Sequence, residues 1–142
     1  MQTETVARIL GYLGLIPFLI LSMASWISLP LIEDPLVMLT GYAAVILSFM
    51  GAVHWGLAMR FNGRLATGQL SLSVIPALLG WLALLLHPQF GLPLLIAGFG
   101  LLCIIEAWSR QQILYPAWYL PLRAVLTAVV IACLLVALMT VR

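Results

Sequence analysis

The chain has no lysine, only two cysteines and two histidines, and few charges of either sign: six Arg against four acids in 142 residues, 7% of the whole. Each scarcity excludes something. A water-soluble domain carries about 25% charged residues, so a fold of this composition would have no polar surface to present to water. The Arg residues are scattered along the chain, and the net charge of +2 offers no stripe that could follow phosphates, which removes nucleic acid as a partner. Cys103 and Cys133 both sit inside apolar runs, where cysteine behaves as a small hydrophobe, and no disulfide framework is indicated. His54 and His87 fall toward opposite faces of the membrane and cannot ligate one metal or haem within a monomer, so no metal and no cofactor is expected. There is no Gly-rich phosphate loop, no G-x-S-x-G elbow and no H-E-x-x-H pair. No catalytic residue is therefore assigned.

What is abundant is apolar surface: 65% of residues are hydrophobic, with a mean hydropathy of +1.21. A spanning helix needs about 20 mostly apolar residues, because lipid offers the backbone no hydrogen-bond partner and the helix must supply its own. Residues 9–32 and 35–59 are uncharged and each holds one helix. Residues 65–105 hold two, separated at His87-Pro88-Gln89-Phe90-Gly91-Leu92-Pro93 by helix-stopping Pro and Gly. After Ser109-Arg110-Gln111-Gln112 and the turn-prone Tyr115-Pro116, a fifth apolar run follows, with Arg123 near enough to its start to snorkel. The reading is an all-α integral membrane protein, one transmembrane domain over 1–142, a bundle of five helices at 7–29, 36–59, 70–87, 90–108 and 119–141. The first run could alternatively serve as a signal peptide, with Arg8 as its basic end, but it is too long for a signal sequence and reads as a retained helix.

Basic residues near span ends stay on the cytoplasmic side. With the N-terminus inside, Arg8, Arg60, Arg64, Arg110 and Arg123 all fall inside and Arg142 alone falls outside, whereas Glu33 and Asp34 lie in an outer loop. A cytoplasmic N-terminus and a periplasmic C-terminus follow. Ile16-Pro17 and Ile75-Pro76 sit at similar depths in successive helical hairpins, but the rest of the two units does not align as a repeat. Both prolines are expected to bend their helices and to leave carbonyls for neighbours to satisfy.

Ala44, Ser48, Ala52 and Gly56 recur every four residues and form a smooth stripe along the second helix, which reads as a packing face toward another helix of the chain or toward a second copy. Ionisable groups inside a span are costly and need a reason. His54 precedes Arg60 by six residues, about 9 Å at 1.5 Å per residue, and on the assigned orientation His54, Trp55, Glu106, Arg110, Trp118, Tyr119 and Arg123 share one inner-side layer. Glu106 has two readings: a structural tie to Arg110 or Arg123, or part of a polar pocket in which it and His54 exchange protons or bind a headgroup. Trp26, Trp108, Trp118 and Tyr119 lie near span ends as an interfacial belt.

The segments Gly41-Tyr42-Ala43-Ala44-Val45-Ile46-Leu47-Ser48-Phe49, Gly51-Ala52-Val53-His54-Trp55-Gly56-Leu57-Ala58-Met59 and Pro116-Ala117-Trp118-Tyr119-Leu120-Pro121-Leu122-Arg123 resemble the domain-of-unknown-function family DUF3429. The resemblance runs over nearly the whole chain, and the His-Trp segment is its most specific part. It implies a small multi-span protein of the bacterial inner membrane, with counterparts in the mitochondrial one, and implies no activity. The functional expectation is a non-catalytic subunit or assembly partner that binds membrane lipids or a quinone, another membrane protein or a second copy. Its rival is an oligomeric transporter or channel using the inner-side pocket. An enzyme comes third, since His54 and Glu106 would lack an electrophile-binding group.

Overall fold

The computed structural model describes residues 2–27, 30–108 and 115–141. Six helices follow one another: α1 Gln2–Leu13, α2 Ile16–Ala24, α3 Pro35–Ala58, α4 Arg64–Leu85, α5 Pro88–Ala107 and α6 Tyr119–Leu138. Because α1 and α2 continue each other as one apolar segment, five helices are long and apolar enough to cross a membrane, and there is no strand among the described residues. The chain is thus a multi-pass, all-helical membrane protein. Its outward surface carries large apolar side chains such as Phe49, Leu78, Trp81, Leu85 and Leu101, the inverse of a soluble protein and the natural covering for a bundle solvated by lipid.

The ends of the helices follow local chemistry. Asp34 caps α3 by accepting a hydrogen bond from the Val37 amide at 3.1 Å, and Pro35 occupies its first turn, where a missing amide costs nothing. Pro88 does the same for α5. The first span is interrupted where Pro17 removes an amide donor: α1 ends at Leu13, α2 begins at Ile16, and the Gly14 carbonyl is taken by the Tyr42 hydroxyl of α3 at 3.0 Å. Pro76, by contrast, is accommodated inside the unbroken α4.

The observed helices also depart from the expected limits. The third span begins at Arg64, six residues before the expected start at 70, because Gly63 adopts a φ of +69° that turns the chain straight into a helix. Ala66, Thr67, Gly68 and Gln69 form its first turns, with the Thr67 hydroxyl and amide both bonded to the Gly63 carbonyl. The first span ends at Ala24 rather than 29 and the last at Leu138 rather than 141. Trp26 beyond the first instead donates its indole N–H to the Val136 carbonyl of α6 at 3.1 Å.

Helix α3 is the hub, packing on α2, α4 and α5, while α6 closes the bundle against α5, α2 and α1. Phe18 sits between Tyr42 and Phe99 with edge-on ring contacts at 5.0 and 6.4 Å, tying α2, α3 and α5 together. Helices α3 and α4 approach each other closely. A Cβ on Gly51 would lie 2.6 Å from the Ser73 carbonyl, and one on Gly80 would lie 2.9 Å from the Ala44 carbonyl. Lipid supplies no hydrophobic drive for helix association, so backbone proximity of this kind is what van der Waals packing requires.

The small-residue stripe is only half used in this way. Ala44 and Ser48 face Gly80, but Ala52 is exposed and a Cβ on Gly56 would meet nothing within 4 Å. Four residues advance 400°, so a strict four-residue repeat drifts about 40° per step around a helix of 3.6 residues per turn. By the third residue of the stripe the contact has passed to Gly51.

Candidate functional site

Near the end of the bundle where the N-terminal helix begins, four helices each place a polar side chain at the same depth. His54 comes from the last turn of α3, Gln69 from the second turn of α4, Glu106 from the last turn of α5 and Arg123 from the second turn of α6; all four are buried. His54 and Gln69 face each other because they stand almost symmetrically about the α3–α4 turn, and His54 Nδ1 lies 2.7 Å from Gln69 Oε1. Glu106 is fully buried and accepts from Arg123 Nε at 2.8 Å through Oε2 and from the Tyr119 hydroxyl at 3.3 Å through Oε1. Arg123 donates a second bond from Nη1 to the Thr127 hydroxyl one turn along α6, at 3.0 Å. His54 Nε2 stands 3.4 Å from Glu106 Oε1 without the alignment of a hydrogen bond. Arg123 Nη2 and His54 Nε2 are thereby buried without a hydrogen-bond partner among the described residues.

Tyr115, just before α6, roofs the cluster. Its ring stacks on Tyr119 at 4.6 Å, and its hydroxyl lies 3.4 Å from His54 Nδ1. Burial pushes its phenol well above the ordinary range, the Glu106 charge pushes the same way, and Arg123 opposes more weakly. Tyr115 is therefore a neutral hydroxyl at any physiological pH.

Of the expected layer, the structure brings together His54, Glu106, Tyr119 and Arg123. Trp118 sits beside them, half-buried, with its ring edge-on to Tyr119 at 6.3 Å. Trp55 does not join: it follows His54 by 100° around α3 and faces outward, 51% exposed. Arg110 lies outside the described residues. The partner of Glu106 seen here is Arg123, which ties α5 to α6. Sequence reasoning missed Gln69, Thr127 and Tyr115. Gln69 lies one residue before the expected start of the third span at 70; its signal is its near-symmetry with His54 about the hairpin turn. Thr127 was legible as the residue one turn beyond Arg123.

Beside the cluster a cleft of about 340 Å³ runs between α1, α2, α3 and α6. Its walls are almost wholly apolar, including Leu10, Phe18, Met50, Val53 and Leu126, and Trp118, Tyr119 and Arg123 also line it. Leu10 and Phe49, which line it, are 63% and 64% exposed, so the cleft reaches the lipid-facing surface. Arg123 and Tyr119 thus belong to both the cluster and the cleft. No group of three or more His, Cys, Asp or Glu able to hold a metal occurs among the described residues.

Comparison with known proteins agrees with this architecture. Transmembrane protein 69 of Xenopus tropicalis is 34% identical over 129 residues, covering 88% of this chain and 50% of its own length, so the chain spans half of that relative. No solved structure matches. The model of a family described as a protein of unknown function, DUF3429, matches residues 3–139. With 137 of its 142 positions inside that match, counting from 3 to 139, this multi-pass membrane protein belongs to the DUF3429 family.

Proposed function

We propose that this chain is a non-catalytic, membrane-embedded binding protein that takes an amphiphile, a lipid or a quinone, from the side. The observation that carries the reading is the sharing of Arg123 and Tyr119 between a buried polar cluster and an apolar cleft open to lipid. An amphiphile needs those two environments side by side. The cleft is within the roughly 300–1,000 Å³ usual for small-molecule sites, which are mostly apolar with a few placed polar groups.

The arrangement of basic residues supports the bacterial inner membrane with this end facing the cytoplasm. Arg8, Arg60, Arg64 and Arg123 sit in or beside the chain segments at the cluster end. Glu33 and Asp34 lie at the other end, in the α2–α3 connection.

The test is purification in mild detergent followed by native mass spectrometry and identification of retained small molecules. The expected result is a defined amphiphile retained by the wild type and depleted in Val53→Phe, which narrows the cleft from α3 without touching the charged cluster. Identical retention of the same lipids by both proteins, or none by either, would overturn the proposal.

A further inference from the structure

Around Arg123, which lines the cleft, the donors and acceptors do not balance. Arg123 spends Nε on Glu106 and Nη1 on Thr127, and Nη2 is left buried with no acceptor among the described residues. A guanidinium has five N–H donors and accepts nothing, so what is missing around Arg123 is an acceptor oxygen. A buried donor without one carries its full desolvation penalty. The other unpartnered buried atom, His54 Nε2, lies across Glu106 from Arg123. The deficit is therefore concentrated around one carboxylate.

The charge of the missing group follows from its surroundings. Glu106 already neutralises Arg123 at 2.8 Å. A second anion entering here would face the Glu106 carboxylate in a medium of low dielectric, where like charges repel far more than in water. A neutral carbonyl oxygen supplies the acceptor without that repulsion. The remainder of the ligand is set by the walls: apolar side chains from four helices around about 340 Å³, which suit an apolar tail.

Resting on the amphiphile-binding reading above, we infer that the cleft holds an apolar tail and that Arg123 Nη2 receives the carbonyl oxygen of a neutral head. Two sources share that chemistry, a quinone and an ester-linked lipid. Because Nη2 is itself buried, the head reaches it through a small rearrangement of the wall formed by Trp118 and Tyr119.

The experiment titrates the full chain in detergent with four probes of matched tail: a decyl-benzoquinone, the neutral ester monodecanoylglycerol, the anion decanoate, and decylbenzene, which has no oxygen. Affinity is read from ligand-induced shifts in thermal unfolding, which grow with occupancy of the folded state. The quinone or the ester is expected to bind at least tenfold more tightly than decylbenzene and decanoate, and whichever of the two does so identifies the source. Arg123→Lys keeps a positive charge near Glu106 but lacks Nη2, and should erase that margin. Val53→Phe should weaken all four probes, and it reports on the cleft even if Arg123→Lys does not fold.

Equal binding of decylbenzene and the carbonyl probes, or preference for decanoate, would overturn the inference about the head while leaving an amphiphile site standing. Failure of all four to bind would overturn both.

Discussion

Glu106 accepts from Arg123 and from Tyr119 and lies within 3.4 Å of His54. Removing its charge therefore strands a guanidinium that is only 4% exposed. Breaking one side of a buried ion pair typically costs about 3–5 kcal/mol, since the remaining charge is left uncompensated. Glu106→Gln should accordingly lose about 3 kcal/mol of stability, measured by denaturant or thermal unfolding in detergent. Restored stability in Glu106→Gln combined with Arg123→Met would show that the loss comes from the stranded charge rather than from shape. Tyr115 supports a second experiment at this scale. Its raised phenol means the folded state favours the neutral hydroxyl. Its contribution to stability is then complete below the ordinary phenol range near pH 10 and is lost as pH rises toward the raised value. The tyrosinate absorbance difference between wild type and Tyr115→Phe should appear only above that ordinary range; a normal titration would show that the ring is not roofed over. The cluster was partly legible because ionisable residues in apolar runs are rare enough to notice. Gln69 was not, since an uncharged polar residue near the end of a span carries little signal until a partner faces it.

At the scale of the helix, the α3–α4 hairpin shows where pattern and geometry part. The four-residue stripe located the correct face at Ala44 and Ser48 and then drifted off it, because a helix of 3.6 residues per turn does not hold a period of four. Gly51 and Gly80 make the close approach. Gly51→Val should separate α3 from α4 and cost at least about 1–3 kcal/mol, the usual range for overpacking, because its Cβ would meet the fixed Ser73 carbonyl rather than a movable side-chain tip. Ala52→Leu on the same helix, exposed in the single chain, should stay within about 0.5 kcal/mol in unfolding measurements. A large loss of assembly in Ala52→Leu, with monomer stability unchanged, would instead mark that strip as a contact between copies. The break in the first span carries a smaller expectation: Tyr42→Phe leaves the Gly14 carbonyl without its hydroxyl partner and should cost about 1 kcal/mol, the common worth of such a bond in membranes.

For the whole molecule, five spanning helices place the N-terminal end and the polar cluster on one side and the Glu33-Asp34 connection on the other. Single cysteines introduced at Asn62 and Asp34, in a background with Cys103 and Cys133 replaced by Ala, test the orientation with a membrane-impermeant thiol reagent. In intact spheroplasts, Asp34→Cys should label and Asn62→Cys should label only after lysis; the reverse pattern would invert the proposed topology. The number and order of spans could be read from the chain alone, because hydrocarbon thickness sets a length and the cost of a bare backbone polar group enforces helices of at least that length. The pairing of Glu106 with Arg123, the outward rotation of Trp55 and the cleft itself belong to the tertiary structure alone. Each depends on which faces of separate helices meet, and that is decided by packing and by the balance of buried donors and acceptors across helices distant in sequence, quantities that no local pattern contains.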